Sequence, residues 1–211
     1  MIGLLIYSFV NNLYADSYYD RKVSLFELLP ISENDIVFLG NSITDGGEFN
    51  ELFGMNNIKN RGITSDVISG VEQRLDQVLR GKPKKIFLLI GINDISHKLS
   101  AEQIASNYER LVDRIISGSP QTKLYLQSIM PINNDFKRYK NLFGTEKVIV
   151  ETNALIKKIA TEKGVAFIDL TNTLADETTG KLKEEFTNDG LHLTGNGYKA
   201  WVEKIRPYVE E

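Results

Sequence analysis

The sequence has 211 residues, of which 42% are hydrophobic and 25% are charged, which fits one globular domain with a sizeable core. The formal net charge is −3 and the lysines and arginines are scattered, which argues against a polyanion-binding surface and against nucleic acid as a partner. The chain has no cysteine, so disulfides, thiolate metal sites and cysteine nucleophiles are excluded.

The N-terminal residues admit two interpretations. Residues 1–10 form an apolar run of signal-peptide length and Leu13-Tyr14-Ala15 is a candidate cleavage site, but the run lacks the positively charged start of a signal peptide. The alternative is a strand or helix packed against the domain. We favour the first, and with it a periplasmic or secreted location over a cytoplasmic one. No apolar run reaches the roughly 18 residues that span a bilayer, which predicts no integral membrane segment.

Short runs rich in β-forming residues alternate along the chain with segments of helical periodicity. This alternation predicts an α/β fold in which helices cover both faces of a parallel sheet. The predicted strands are residues 35–39, 57–60, 85–90, 123–128 and 165–169.

The segments between and after these strands have apolar residues at helical spacing. Ser100 and Gln103 have capping-box spacing at the start of one helix, and glycines follow the ends of several. Trp201 falls on the apolar stripe of the last helix, so we interpret it as a core residue. The apolar faces run from Val67 to Leu79, from Ile104 to Ile116, from Val148 to Ile159 and from Tyr198 to Ile205.

Small or polar residues follow three of the predicted strands, at the sheet edge where open α/β folds bind ligands. Ser42 comes just after the first strand, in Gly40-Asn41-Ser42-Ile43-Thr44, where a nucleophile would be exposed. Gly62 ends the second stretch and Asn93 follows the third. With the backbone N–H of Ser42, a backbone N–H of Gly62 and the side-chain amide of Asn93 would stabilise an oxyanion.

Near the C-terminus, Asp189 precedes His192 by three residues. An aspartate at this spacing can accept a hydrogen bond from imidazole Nδ1 and leave Nε2 free to take a proton from a nucleophile. The pair therefore predicts a general base and its orienting carboxylate, matched to Ser42. Asp45 is a competing carboxylate, but Asp189 supplies the partner of His192 more simply.

The four blocks around Ser42, Gly62, Asn93 and His192 resemble those of the SGNH, or GDSL-like, hydrolase superfamily, over roughly residues 35 to 208. The resemblance implies a flavodoxin-like three-layer α/β/α sandwich with a central parallel sheet of about five strands. It also implies that Ser42, Asp189 and His192 are catalytic and that Ser42, Gly62 and Asn93 form the oxyanion hole. Residues 31–211 would be the hydrolase domain, preceded by an N-terminal segment, residues 1–30.

The chain departs from the name-giving pattern at two positions. Asn41 stands where the family pattern has aspartate, and Ser65 stands where a second glycine is common. Neither departure removes a catalytic atom. The Gly-Asn-Ser-Ile-Thr variant is most similar to members related to platelet-activating-factor acetylhydrolase and to carbohydrate acetylesterases, which remove short acyl groups.

The resemblance implies a serine esterase that hydrolyses short-chain acyl esters through an acyl-enzyme, with O-acetyl groups on carbohydrate as the first expectation. A phospholipid or lysophospholipid acylhydrolase is the alternative substrate class. A non-catalytic carbohydrate-binding protein on the same fold, and acyl transfer to another sugar, are further alternatives. No cofactor is expected, and no histidine pair has the spacing of metal ligands, so no metal is expected either.

The stretch from Pro131 to Thr145 lacks periodicity and follows a strand, so it is a long connection at the same sheet edge. Phe136, Tyr139 and Phe143 in it are candidates to line an acyl or sugar pocket; the alternative is an ordered surface loop. Two other polar residues are given structural roles: Asp94 is expected to bind nearby backbone N–H groups, and His97 to face solvent.

Overall fold

In a computed structural model that describes residues 17–211, the chain forms a single parallel sheet flanked by helices. The strand order is β2-β1-β3-β4-β5, which is the flavodoxin-like order. The predicted α/β/α sandwich with about five parallel strands is confirmed. The strands are β1 (Ile36–Gly40), β2 (Ile58–Gly62), β3 (Lys85–Leu89), β4 (Lys123–Gln127) and β5 (Ala166–Ile168).

The helices pack in two contacting groups on the faces of the sheet. The α-helices are α1 (Tyr18–Leu28), α2 (Ser42–Asp45), α3 (Phe49–Phe53), α4 (Ile68–Gln73), α5 (Asp76–Leu79), α6 (Ile92–Ser96), α7 (Ala101–Gly118), α8 (Glu146–Lys163), α9 (Thr171–Leu174) and α10 (Gly195–Glu210). Helix α7 contacts α4 and α8, whereas α10 contacts α3 and α9. None of the helices within residues 17–211 has the length and apolar character needed to cross a membrane.

The sequence placed each strand to within two residues, and one helix differently. The segment from Val67 to Leu79 forms two short helices, α4 and α5, instead of one. The interruption coincides with Arg74, whose buried guanidinium donates to Asp66 Oδ2 at 2.9 Å and to the Gly40 carbonyl at 3.1 Å. The spacing of apolar residues could not predict this break, because it depends on a buried charged side chain.

Stacked aromatic rings join the middle of the sheet to helix α10. The centroid of Phe38 lies 4.1 Å from that of Phe49 and 5.1 Å from that of Phe87, and the Phe87 ring stacks on Tyr125 at 4.6 Å. The edge of Trp201 meets Phe49 at 5.0 Å between centroids, and Trp201 is fully buried, as predicted. This packing fixes the helix that follows His192 against the sheet.

The N-terminal helix α1 packs beside β2. Its Phe26 is buried and lies under two guanidinium groups, that of Arg61 at 4.7 Å and that of Arg74 at 6.0 Å from the ring centroid. Such cation–π contacts add to the apolar burial. The apolar run and the candidate cleavage site predicted at residues 1–15 lie outside the described residues.

Lys85 is a buried cation at the start of β3. Its Nζ donates to the carbonyl oxygens of Tyr208 at 2.7 Å and of Val209 at 3.0 Å, near the C-terminal end of α10. The last carbonyls of a helix lack partners within the helix, so Lys85 caps α10. Burial lowers the pKa of the Lys85 ammonium. The sheet is thus tied to α10 by a polar contact as well as by the aromatic rings.

We expect Lys85→Met to lower the free energy of unfolding by about 2 kcal/mol, because it leaves buried carbonyls without donors while keeping most of the apolar volume. Lys84→Met is the matched control, because Lys84 is the exposed neighbour. Urea titration of both variants measures the effect, and equal stability of the two would contradict the capping role.

Candidate active site

The carboxyl ends of β1, β2 and β3 bring the predicted site residues to one edge of the sheet. Gly40 is in register with Gly62 on one side and with Leu89 on the other. Ser42 begins α2 directly after β1, and Asn93 lies in α6 directly after β3. The loop before α10 brings Asp189 and His192 to the same edge.

Ser42, His192 and Asp189 form a continuous chain of hydrogen bonds. Ser42 Oγ lies 2.9 Å from His192 Nε2, and His192 Nδ1 lies 2.8 Å from Asp189 Oδ2. An ionised carboxylate can only accept, so Nδ1 carries the proton and Nε2 is the acceptor for the Ser42 hydroxyl. The three side chains predicted to act together are therefore brought together.

The Asp189 carboxylate also folds the loop that carries His192. Its Oδ1 accepts the backbone N–H groups of Leu191 at 2.9 Å and of His192 at 2.8 Å, a local turn typical of aspartate. Gly190, at φ +87, lies so close to the Asn133 carbonyl that a Cβ would come within 2.1 Å of it. The spacing of three residues thus lets one oxygen build the loop while the other orients the imidazole.

These contacts keep Asp189 ionised. Partial burial raises the pKa of its carboxyl, but hydrogen bonds from the His192 ring, from the backbone of His192 and Leu191 and from the Tyr139 hydroxyl outweigh burial and lower the pKa to about 2. The pKa of the Tyr139 hydroxyl is raised to about 12 by its own burial and by its bond to Asp189. The carboxylate is a permanent anion beside the imidazole.

The Tyr139 hydroxyl contacts both Asp189 and His192. Its hydroxyl donates to Asp189 Oδ2 at 2.9 Å and lies 3.1 Å from His192 Nδ1, so it supports the carboxylate instead of presenting its polar end to a pocket. Phe136 lies beside Gly190, and Phe143 is a surface residue with 42% of its area exposed. That Phe136, Tyr139 or Phe143 contacts substrate stays a prediction.

The turn that carries Ser42 is held from two directions. Asn60 Nδ2 donates to the carbonyl oxygens of Thr44 at 2.7 Å and of Gly47 at 2.8 Å. From α10, the Tyr198 hydroxyl donates to the Ile43 carbonyl at 2.8 Å. Sequence reasoning missed both residues, although an asparagine inside a strand is unusual enough to have drawn attention to Asn60.

The placement of Gly62 corrects its predicted role as an oxyanion donor. Its backbone N–H already donates to Asn60 Oδ1 at 2.8 Å. A Cβ at this position would come within 2.1 Å of the Asp45 backbone nitrogen. Gly62 is therefore needed for the close approach of β2 to the Ser42 turn, and its N–H has a structural partner.

Ser65 lies in the loop after β2, three residues beyond Gly62. The preceding Thr64 donates its backbone N–H and its hydroxyl to Asp45 Oδ2, and the carbonyl of the following Asp66 accepts Asn93 Nδ2 at 2.8 Å. Ser65 thus lies between a residue fixed to the Ser42 turn and a residue fixed to Asn93. Within residues 17–211, the backbone N–H groups of Ser65 and Ser42 have no hydrogen-bond partner. The second amide hydrogen of Asn93 also remains available.

The remaining polar candidates have structural surroundings. Asp94 is buried and its Oδ2 accepts the Ile68 N–H at 3.2 Å, and burial raises the pKa of its carboxyl to about 6. His97 is exposed at the end of α6. Asp45 binds α1 and Thr64 and makes no bond to His192. Within residues 17–211, no group of three or more His, Asp or Glu side chains is placed to hold a metal ion.

A protein-family profile matches most of this chain. The sequence profile of the GDSL-like lipase/acylhydrolase family matches residues 38–200, which include Ser42, Asn93 and His192. The chain belongs to the GDSL-like lipase/acylhydrolase family. It is a hydrolase of the esterase and acylhydrolase class, as the resemblance implied. No curated protein matches the sequence.

Solved structures share the fold of this GDSL-like hydrolase. A protein from Streptococcus pneumonia, provisionally named a platelet activating factor, is 28% identical and has a TM-score of 0.85, with 97% of this chain and 99% of that chain covered. A GDSL-like lipase from Bacteroides thetaiotaomicron is 22% identical, with a TM-score of 0.79 and coverage of 91% and 97%. The acetyl xylan esterase AlAXEase is 22% identical, with a TM-score of 0.69 and coverage of 83% and 99%.

Ser65 has φ +67, a conformation that favours glycine. We expect Ser65→Gly to keep kcat within about twofold, because the backbone N–H remains. The same variant should raise the free energy of unfolding by up to about 1 kcal/mol, because glycine adopts this φ without strain. Ser65→Val should lower kcat by at least about tenfold, since a β-branched residue resists this φ and displaces the N–H. Steady-state kinetics with an ester substrate measure kcat for both variants. Equal kcat for the valine and glycine variants would show that the Ser65 N–H is not an oxyanion donor.

Proposed function

We propose that this GDSL-like hydrolase is a serine esterase in which Ser42, His192 and Asp189 form the catalytic triad. The observation that carries the proposal is the hydrogen-bonded chain from Ser42 Oγ through the imidazole to Asp189, at 2.9 and 2.8 Å. It lies at the sheet edge where open α/β folds bind ligands. Family membership gives the reaction class, and this geometry supports the roles of the individual residues.

The reaction follows from the direction of these bonds. Ser42 Oγ attacks the ester carbonyl carbon while its proton passes to His192 Nε2, and a tetrahedral intermediate forms. The bond to the alcohol oxygen breaks, and His192 returns the proton to that oxygen. A water molecule then attacks the acyl carbonyl carbon and gives a proton to Nε2. The bond from this carbon to Ser42 Oγ breaks, Nε2 returns the proton to Oγ, and the acid is released. Asp189 stabilises the imidazolium in both halves without changing its own protonation.

The oxyanion of the intermediate needs donors that point away from the surrounding protein. The N–H groups of Ser42 and Ser65 and the second amide hydrogen of Asn93 meet this requirement. Asn93 is held in place through Asp66, whose carboxylate is bound by the buried Arg74. Gly62 supports the nucleophile turn and is not included among the donors.

Short acyl esters are the proposed substrates, with O-acetyl groups on carbohydrate as the first choice. Ser65 is exposed and Asn93 is half-buried, and both are polar, which suits an alcohol that carries further hydroxyl groups. An apolar cavity of about 660 Å³ lies between α8 and residues 169–181, and neither Ser42 nor His192 lines it. This cavity therefore does not extend the site as a channel for a long acyl chain.

Phospholipid or lysophospholipid esters are the second choice. The similarity to an acetyl xylan esterase is a similarity of fold at its level of identity and does not decide between the two. A series of p-nitrophenyl esters of increasing chain length, beside acetylated sugars, separates the classes. We expect kcat/KM to be highest for acetyl and to fall as the chain lengthens.

We expect Ser42→Ala to lower kcat for p-nitrophenyl acetate by about 10⁴-fold or more while the fold survives. A fluorophosphonate should label wild-type protein at Ser42, as located by mass spectrometry, and should not label the variant. Retention of more than a few per cent of activity would show that the nucleophile is another residue. An unlabelled, inactive wild-type protein would favour the non-catalytic carbohydrate binder.

A pH profile tests the assignment of Asp189. The pKa of its carboxyl is about 2, below its usual 3.8, so the carboxylate stays ionised above about pH 4 and its protonation should not limit kcat/KM there. Asp189→Asn removes the carboxylate that orients the imidazole and stabilises the imidazolium, which should lower kcat/KM by about 10²- to 10⁴-fold across that range. A variant whose kcat/KM stays within about twofold of wild type at every pH above about 4 would mean that Asp189 is not the partner of His192.

The same lowered pKa has a consequence for stability. Because the Asp189 carboxyl is more acidic in the folded than in the unfolded protein, its ionised form stabilises the fold above about pH 4, and this contribution is lost as the pH falls towards about 2. The free energy of unfolding of wild type and of Asp189→Asn, measured by denaturation at each pH, shows in which pH range both proteins are folded. The activity profiles are compared within that range.

A further inference from the structure

Asp45 is a nearly buried carboxylate in the same short helix as Ser42, and four hydrogen bonds end on it. From helix α1, Lys22 Nζ donates to Oδ1 at 2.7 Å and the Tyr18 hydroxyl donates to Oδ2 at 2.7 Å. From the loop after β2, Thr64 donates to Oδ2 through its backbone N–H at 3.1 Å and through its hydroxyl at 2.9 Å. Only 8% of the Asp45 side chain is exposed.

The two sides of this carboxylate belong to different parts of the site. Asp45 ends α2, the turn that Ser42 begins. Thr64 directly precedes Ser65, whose N–H is a proposed oxyanion donor. The carboxylate therefore fixes the loop that carries one donor to the turn that carries the nucleophile. A shift of Thr64 would move the Ser65 N–H relative to Ser42.

Helix α1 supplies the charge that makes this junction stable. Burial raises the pKa of the Asp45 carboxyl, but the bonds from Lys22, Tyr18 and Thr64 lower it by more, so the net effect is a lowered pKa. Bonds to an ionised carboxylate are shorter and stronger than bonds between neutral groups. Without Lys22 and Tyr18, Thr64 alone would donate hydrogen bonds to this buried carboxylate. The carboxylate would then become protonated or draw in water, and its contact with Thr64 would be less well ordered.

A second polar attachment of α1 gives an internal comparison. Near the other end of the helix, Glu27 accepts Gln77 Nε2 at 2.9 Å and pairs with Arg80. This attachment holds α1 to the helices that follow β2 and touches neither Asp45 nor Thr64. Helix α1 is also attached through Phe26 and through Tyr19, whose hydroxyl donates to the Gly70 carbonyl at 2.8 Å. The bonds of Tyr18 and Lys22 to Asp45 are the ones that lead to the turn of Ser42.

We propose that Tyr18 and Lys22 are positioning residues for catalysis, which act through Asp45 and Thr64 on the distance between Ser42 and the Ser65 N–H. The proposal rests on the proposed esterase function. Both residues lie outside residues 38–200, the part of the chain that the family profile matches. The first turn of the N-terminal helix thus supports the turn that carries Ser42, although neither Tyr18 nor Lys22 touches the substrate.

The test compares the double variant Tyr18→Phe, Lys22→Met with Glu27→Gln as the matched control on the same helix. With p-nitrophenyl acetate, we expect the double variant to lower kcat by about 10- to 100-fold with KM within about twofold, the pattern of a weakened oxyanion interaction. Glu27→Gln should leave both constants unchanged. Lys22→Arg should keep most of the wild-type kcat, because it retains a cation beside Asp45.

Stability measurements and the Ser42 tests separate the possible outcomes. Urea denaturation of every variant shows whether a fall in kcat comes from unfolding, and assays are run where all variants are folded. If the double variant keeps wild-type kcat, or if Glu27→Gln lowers kcat equally, the positioning role is wrong while the esterase stands, provided that Ser42→Ala is inactive. If wild-type protein neither hydrolyses the ester nor reacts with a fluorophosphonate at Ser42, the proposed function and the positioning role both fail.

Discussion

The Asp189 carboxylate is the group on which the geometry of the site depends, because its two oxygens do different work. Oδ1 accepts the backbone N–H groups of Leu191 and His192 and so shapes the loop, whereas Oδ2 accepts the imidazole and the Tyr139 hydroxyl. An anion held by this many donors cannot rotate without breaking several bonds at once. The imidazole is therefore aimed at Ser42 before any substrate binds, and preorganisation of this kind lowers the cost of reaching the transition state.

The opposite half of the site is organised around backbone contact. Gly62 lets β2 approach the turn after Ser42 so closely that no Cβ would fit, and Asn60 uses its amide to bind the carbonyls of that turn. Asp45 then connects the turn to the loop after β2 through Thr64. Ser42, Ser65 and Asn93 follow neighbouring strand ends of one sheet, so the proposed nucleophile and oxyanion donors lie together although they are far apart in sequence.

The strands, and the meeting of Ser42, Asn93, Asp189 and His192 at one sheet edge, could be predicted from the sequence because each depends on a local pattern. The surroundings of Gly62 could not, since the partner that occupies its N–H is a side chain, Asn60, whose orientation depends on a turn from another strand. The partner of the Tyr139 hydroxyl could not be predicted for a similar reason. An aromatic residue in an aperiodic connection looks the same whether its ring lines a pocket or its hydroxyl supports a carboxylate fifty residues away.

Helix α10 joins the two halves and so links the stability of the fold to the alignment of the reacting atoms. His192 lies in the loop that leads into α10, while Tyr198 within it donates to the Ile43 carbonyl, one residue after Ser42. The helix is anchored to the sheet by Trp201, whose Nε1 donates to Gln127 at 2.7 Å, and at its far end by Lys85. Helix α10 is thus attached both to the loop that carries His192 and to the turn that carries Ser42. A displacement of α10 would therefore disturb His192 and the support of the Ser42 turn together, so the packing of this helix controls the contact between Ser42 Oγ and His192 Nε2.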